Sequence, residues 1–455
     1  SDEAAVLREA CLDPPNDVYT LLAGLGAQFK GTCKHSHVLR LLKGAYGLKD
    51  APRLWKLRLD AYLHKCGGSQ SMLDGSVWFW REDGVLIGIL STHVDDLKGS
   101  GTQQWAERLY QMLVEEFGKV TREDTPFEHC GIMHTQSDDG TITISQDHYI
   151  KELKSIPLTE TMRRDSSVTC DDGLHAHYLA LLGGLGWTVN TRHDIAVYVA
   201  ALQRAQRAPT IDDVQKLNAV LRWCKRHPCV ITFSRLTPPL KILVISDSAF
   251  KREHGESLAC RGHLVGLAER RDDTPGGKCH FLEAVSRRHK RVTRSTFAAE
   301  INGLCDAIEP GKVIAMQYAE LCWGADTAHN MAERARIGSW PIPIEAVVDA
   351  NAVFTNVTAV DVKLPLEESL IIIVMSVREQ FSVGLVQRLW WCATNDMLAD
   401  GLTKGACARA PLLRALKDGR WQLQAGSKSA KLQRGATPVR AMTDTATDDC
   451  GVQPE

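Results

Sequence analysis

Apolar and polar positions alternate between two grammars along the chain, one of period 3.6 and one of short continuous runs. In the first third, Trp55, Leu59, Tyr62 and Leu63 share one face of a helix. Asp50 can cap that helix, Pro52 suits its first turn, and Gly67-Gly68 ends it. An apolar run over residues 85–90 then leads into His93-Val94-Asp95-Asp96, and Gly99 to Gly101 break the pattern. Such a run bounded by turn residues predicts a buried strand, with two carboxylates at its tip. Trp105, Leu109, Met112, Leu113 and Phe117 predict a second amphipathic helix, stopped by Gly118. Ile142 and Ile144 alternate with threonines in a short strand. Residues 156–172 are polar and turn-rich, as a linker would be. From Tyr178 the spacing turns helical, with Leu217, Val220, Leu221 and Cys224 on one stripe.

From Lys241 the second grammar takes over. Residues 242–245 are all apolar and run into Ser246-Asp247. RGHLVGLAER and KCHFLEAVSRR predict two further strands. A helix follows Arg294, with Ser295 or Thr296 as its cap and Phe297, Ile301, Leu304 and Ile308 as its buried stripe. Glu300 lies one turn before Leu304 and borders that stripe. Residues 344–348 form another apolar strand that ends in Asp349. Residues 386–391 read as a strand, and Met397-Leu398-Ala399-Asp400 opens a short helix. Two strands ending in Asp, with a helical Glu beside a buried face, suit a shared site for hard divalent cations, which prefer oxygen ligands. Taken singly, each acid has a plainer reading as a solvated or capping residue.

Composition narrows the class. The 455 residues suffice for two to four domains. Hydrophobic content of 44% and charged content of 24% describe an ordinary globular chain. A net charge of −1 supplies no bulk attraction to nucleic acid, so any such binding needs a local patch. The densest basic run is Arg287, Arg288, Lys290, Arg291 and Arg294, just ahead of Glu300; contact with phosphates and an ordinary solvated face are both open for it. The 14 cysteines contain no CxxC pair, which argues against a disulfide scaffold or a zinc ribbon and for a reduced intracellular setting, cytoplasmic or nuclear. No signal peptide is evident, and the apolar run over residues 370–375 is too short to span a membrane.

Several ordered motifs carry a resemblance. Tyr46-Gly47-Leu48-Lys49-Asp50-Ala51-Pro52-Arg53, then His93-Val94-Asp95-Asp96, then FEHCGIMH and SQDHYIKEL resemble the reverse transcriptase of copia-type LTR retrotransposons. The resemblance implies that Asp95 and Asp96 belong to the metal-binding carboxylates of a polymerase palm. It places Tyr46 and Gly47 near an incoming deoxynucleotide, and Lys49 and Arg53 near template or nucleotide. YLALLGGLGWTVNTRHDIA resembles the helical connection of the same elements, with His193 where proline is usual. SDSAF, RSTFAAE, VVDANAVF and MLADGLTK resemble their ribonuclease H domain, and the carry-over is Asp247, Glu300, Asp349 and Asp400.

The chain also departs from the family. His93 replaces a tyrosine, and Cys130-Gly131 replaces Leu-Gly. The third palm carboxylate, expected in a Leu-Asp-Val motif upstream of YGLK, is not found; Asp2, Asp13 and Asp17 lack the apolar strand context, so truncation is expected. WWCATND offers no histidine ahead of the last acid, as some ribonucleases H have. Integrases share the fold class, but the palm-like block upstream favours ribonuclease H.

The expected architecture is α+β and α/β multidomain. It comprises a partial reverse transcriptase fingers and palm over 1–155, a helical connection over 156–240, a ribonuclease H-like domain over 241–405, and a disordered tail over 406–455 that opens with an amphipathic helix. The implied chemistry is DNA synthesis on an RNA template from a DNA primer, and cleavage of RNA–DNA hybrid. Mg2+ or Mn2+ is the implied cofactor. Integrase and protease of one polyprotein are the implied companions. The rival reading is a decayed or co-opted nucleic-acid-binding protein without catalysis.

Overall fold

The computed structural model describes residues 11–12, 16–26, 28, 30, 39–40, 48–250, 260–324, 328–361, 365, 367–424 and 426–430. Tyr46 and Gly47 lie outside the described residues. The chain divides into two compact units, 1–120 and 121–455. The expected boundary at 155/156 does not coincide with this division. Strands Phe127–His129, Ile132–Gln136 and Ile142–Ser145 form a sheet with Ile231–Phe233, so this segment is tied to residues that follow the helical region.

In the first unit, helix Ala51–Lys65 buries Leu59 and Leu63, and helix Gln103–Phe117 buries Trp105, Leu109 and Leu113. Both pack with Trp78, Trp80 and Leu90 of the sheet into one core. Asp50 stands at the N-cap position but its side chain makes no cap bond; Pro52 in the first turn removes a donor that a cap would otherwise serve. Thr102 does cap the second helix, accepting from the Trp105 backbone N–H. Strand Val85–His93 pairs on both sides, with Val77–Glu82 and Asp96–Gly101. Only Gly88 and Leu90 of it are buried, so the expected fully buried strand is a half-buried one, packed on a single face.

In the second unit, helices Asp172–Thr188, Ala196–Arg204 and Ile211–Arg226 share a core through Tyr178, Leu185, Leu217 and Leu221. The expected linker is anchored rather than free: Asn218 accepts from Ile156 N–H and donates to Ile156 C=O, both at 2.9 Å. A seven-stranded sheet follows, in the order Arg420–Trp421, Gly277–Arg288, Cys260–Glu269, Leu240–Ala249, Ile344–Val348, Val386–Trp391, Lys428–Ala430. Leu240–Ala249 is central, antiparallel to Cys260–Glu269 and parallel to Ile344–Val348. Its apolar run is continuous because both faces are covered. Ile242 and Val244 meet the long helix Thr296–Trp323, whereas Leu243 and Ile245 meet Trp390, Leu398 and Leu402. Each such burial contributes about 2 kcal/mol.

The folded sheet also runs past residue 405. Helix Ala410–Asp418 buries Leu412 and Leu416, and the strands at 420–421 and 428–430 pair with part of each edge of the sheet, at Gly277-Lys278 and at Leu389 to Trp391. The expectation of a disordered tail from 406 is therefore corrected: its amphipathic helix has a core to bury against. Residues 431–455 lie outside the described residues. No helix among the described residues is long and apolar enough to cross a membrane.

Candidate metal centre

Asp247 lies near the carboxyl end of Leu240–Ala249 and Asp349 directly follows its parallel neighbour Ile344–Val348; the register pairs Ile245 with Val347, so both acids stand at one level. The Glu300 helix is started by Ser295, which accepts from the Ala298 N–H at 3.1 Å and is thus the cap. That places Glu300 in the first turns, buried beside the same strand ends. Asp400 opens the short helix Asp400–Thr403. This helix can lie against the sheet because Gly262 stands opposite Asp247: a Cβ there would be 2.6 Å from Leu402 Cβ. Gly303 serves the other side, since a Cβ would be 2.3 Å from Ser248 Oγ.

The ligand atoms of Asp247, Asp349 and Asp400 all lie within 4.8 Å of one another. Asp247 is 1% exposed and Glu300 5%. Burial, opposed by Lys404 and reinforced by the charge of Asp400, pushes the Asp247 carboxyl up to about 6. Burial and then the charges of Asp247 and Asp349 push Glu300 up to about 9. Asp349 and Asp400 are raised as well, first by burial. Like charges packed in a poorly solvated space resist ionising together, and a cation placed among them reverses that cost.

Hydrogen bonds orient the set. Thr403 Oγ1 donates to Asp247, Thr394 Oγ1 donates to Asp349 Oδ2 at 3.0 Å, and Trp391 Nε1 donates to the Asp349 carbonyl at 2.7 Å. Lys404 Nζ stands 2.5 Å from Asp400 Oδ1 and 3.6 Å from Asp247 Oδ1. Burial works against its charge, but Asp247 and Asp400 outweigh it and hold the ammonium above its ordinary value. Glu300 Oε2 is buried with no hydrogen-bond partner among the described residues. A donor set of carboxylate oxygens with one oxygen unsatisfied fits a hard divalent cation such as Mg2+ or Mn2+ better than zinc.

Three of the four expected acids of this half thus converge, and Glu300 is buried near enough for the charges of Asp247 and Asp349 to act on it. Sequence reasoning missed Thr394, Thr403 and Lys404. Thr394 sits in the WWCATND loop, where the expected histidine is lacking. Of the basic run, Arg287 and Arg291 are exposed and Arg288 is half-buried. Arg287 pairs across the sheet with Arg261, one row from the Asp247–Gly262–Ser286 row. Opposed arginines repel; Arg261 is relieved by an ion pair with Asp306.

Val94-Asp95 makes a two-residue turn between paired His93 and Asp96. Val94 has φ 56° and Asp95 does not share a positive φ, the pattern of a type II′ turn. Asp95 and Asp96 are exposed, as are Lys49 and Arg53, the latter in the first turn of helix Ala51–Lys65. Among the described residues no third carboxylate joins Asp95 and Asp96.

No family model matches the chain. Among curated proteins it is similar to the retrovirus-related Pol polyprotein from transposon RE1 of Arabidopsis thaliana, 25% identical over 298 residues, which is 63% of this chain and 19% of that protein. The polyprotein from transposon RE2 of the same plant is 25% identical over 282 residues, 59% of this chain and 18% of that one. The putative transposon Ty5-1 protein YCL074W of Saccharomyces cerevisiae is 26% identical over 253 residues, 51% of this chain and 79% of that protein. The matched stretch thus spans about a fifth of each plant polyprotein.

Proposed function

We propose, for a chain that belongs among the retrotransposon Pol polyproteins, that its C-terminal part cuts the RNA strand of an RNA–DNA hybrid. The observation that carries this reading is the convergence of Asp247, Asp349 and Asp400 within 4.8 Å, with buried Glu300 beside them. These acids come from two strand ends, a long helix and a short one, an arrangement suited to holding cations. Divalent ions, when bound there, would supply an activated water and neutralise charge on the departing oxygen. Asp247, Asp349 and Asp400 would hold them, Glu300 would complete the oxygen set, and Thr403 and Thr394 fix the carboxylate orientations. Arg287, Arg288 and Arg291 supply phosphate contacts beside the site. Recognition of the hybrid rests on shape, phosphates and 2′-hydroxyls.

Around this site we read residues 1–155 as a copia-type partial palm, 156–240 as the connection and 241–405 as the core of the nuclease. Asp95 and Asp96 are the palm's metal-binding pair, and Tyr46, Gly47, Lys49 and Arg53 its nucleotide and template contacts. Two carboxylates on one hairpin tip cannot surround a pair of ions, so this chain alone does not extend a primer. Integrase and protease belong to the same polyprotein in this reading, and the compartment is intracellular. The rival is a decayed or co-opted nucleic-acid-binding protein without catalysis; it is favoured by Lys404, which already neutralises part of the acid cluster.

The test gives the purified chain a labelled RNA–DNA hybrid and, in parallel, a DNA primer on an RNA template with deoxynucleotides, both in Mg2+. Hybrid cleavage without primer extension is expected. Binding of the hybrid with no cleavage in Mg2+ or Mn2+ would favour the co-opted reading. Robust extension would mean that a third acid outside the described residues completes the palm.

A further inference from the structure

We propose that Lys404 is a built-in counter-ion of the acid cluster, which competes with the divalent cation for Asp247 and Asp400 and so weakens its binding. The inference rests on the metal-centre reading above. Its basis is geometric. The Lys404 ammonium lies 2.5 Å from Asp400 Oδ1 and 3.6 Å from Asp247 Oδ1, and both acids belong to the trio that faces one point. Asp247 Oδ2 accepts from Thr403 and Oδ1 faces the ammonium, so both oxygens already have a partner that an incoming cation must compete with. While it stays near, its positive charge also repels a bound cation.

The Lys404 backbone is held independently of its ammonium. Its N–H donates to the Asp400 carbonyl at 2.9 Å, closing the short helix. Its carbonyl accepts from Arg409 at 2.7 Å, and that guanidinium lies over the Tyr198 ring at 5.0 Å. The lysine side chain is 37% exposed, so it has a way out into water when a cation displaces it. Removing the charge therefore changes the electrostatics of the cluster without removing what positions the loop. Metal-free protein gains from the ammonium, because the buried acids have a partner; metal-loaded protein does not. The two states respond to its loss with opposite signs, whereas a simple staple holding the loop would weaken both.

The experiment compares the full chain with Lys404→Met, Lys404→Gln and Lys404→Arg. Mn2+ binding is measured by calorimetry with Mg2+ as competitor, and melting is followed in EDTA and in saturating Mg2+. The two neutral variants are expected to bind Mn2+ about tenfold tighter, about 1.4 kcal/mol. They should also melt lower in EDTA and recover in Mg2+, with Lys404→Arg close to the parent in both. Unchanged or weaker Mn2+ binding in both neutral variants overturns the inference and leaves the metal centre standing. No Mn2+ uptake by parent or variants overturns the metal centre, and the competition with it.

Discussion

The Trp55 indole nitrogen donates a 2.6 Å hydrogen bond to the Val94 carbonyl oxygen, joining positions 39 residues apart. Val94 holds φ 56°, which a β-branched residue adopts only under strain. The helix Ala51–Lys65 thereby tethers the turn that presents Asp95 and Asp96. Replacing Trp55 with Phe keeps the ring and removes the donor, and is expected to cost about 1 kcal/mol. Val94→Gly relieves the backbone and is expected to gain about 1 kcal/mol. Urea denaturation checks both; equal midpoints for all three proteins would mean that the turn is neither strained nor tethered.

Asp247→Asn and Asp349→Asn keep size and remove charge. Hybrid cleavage should be lost, while melting in EDTA should rise, because burying an uncompensated like charge is what the cluster costs without metal. Parent-rate cleavage by either variant in Mg2+ places the nuclease site elsewhere.

The raised carboxyls fix a pH dependence. Asp247 moves from an ordinary 3.8 to about 6 on folding, and Glu300 from 4.5 to about 9. The folded state binds more protons than the unfolded chain over these windows, so the contribution of these groups is full at pH below 3.8 and is lost as pH rises through 6 and towards 9. Melting in EDTA across this range should therefore fall less steeply in Asp247→Asn than in the parent. Metal binding runs the other way, since it needs the deprotonated acids, and the Mg2+ needed for half-stabilisation should drop between pH 6 and 8. A parent and variant with parallel EDTA profiles would remove Asp247 from this account.

Neutralising Arg287 and Arg291 should flatten the dependence of hybrid affinity on salt by about one unit of slope per lost phosphate contact. Arg288 is half-buried and already engaged, so its replacement should perturb stability as well. Fluorescence anisotropy at several salt concentrations measures the slope, and an unchanged slope in the double variant reassigns the run to a solvated face.

Much of this site was legible because each acid is announced by its neighbours. Asp247 and Asp349 follow apolar runs that only a strand covered on both faces produces, and Glu300 borders a stripe of period 3.6. Lys404 and Thr403 have no such announcement: they belong to a short helix, too brief for a periodicity, and gain meaning only when Gly262 lets that helix approach the sheet. The unit boundary was hidden for a related reason. Ile142–Ser145 pairs with Ile231–Phe233, a contact between segments far apart in the chain that no local pattern encodes. Lys241, Glu345 and Arg388 carry no local signal of burial, yet all three are buried, with Glu345 accepting from Lys241 at 3.1 Å and from Trp390 at 2.7 Å.

The strands at 420–421 and 428–430 have a practical consequence for anyone cutting this protein down. A fragment of the second unit ended at residue 405, where the family-like motifs stop, would bare Gly277 and Lys278 on one edge strand and Leu389 to Trp391 on the other, with open backbone donors and acceptors. Bare margins recruit one another. Such a fragment would keep every acid of the cluster but lose the apolar face of helix Ala410–Asp418 and these edge pairings, and should aggregate more readily than one carried through residue 430.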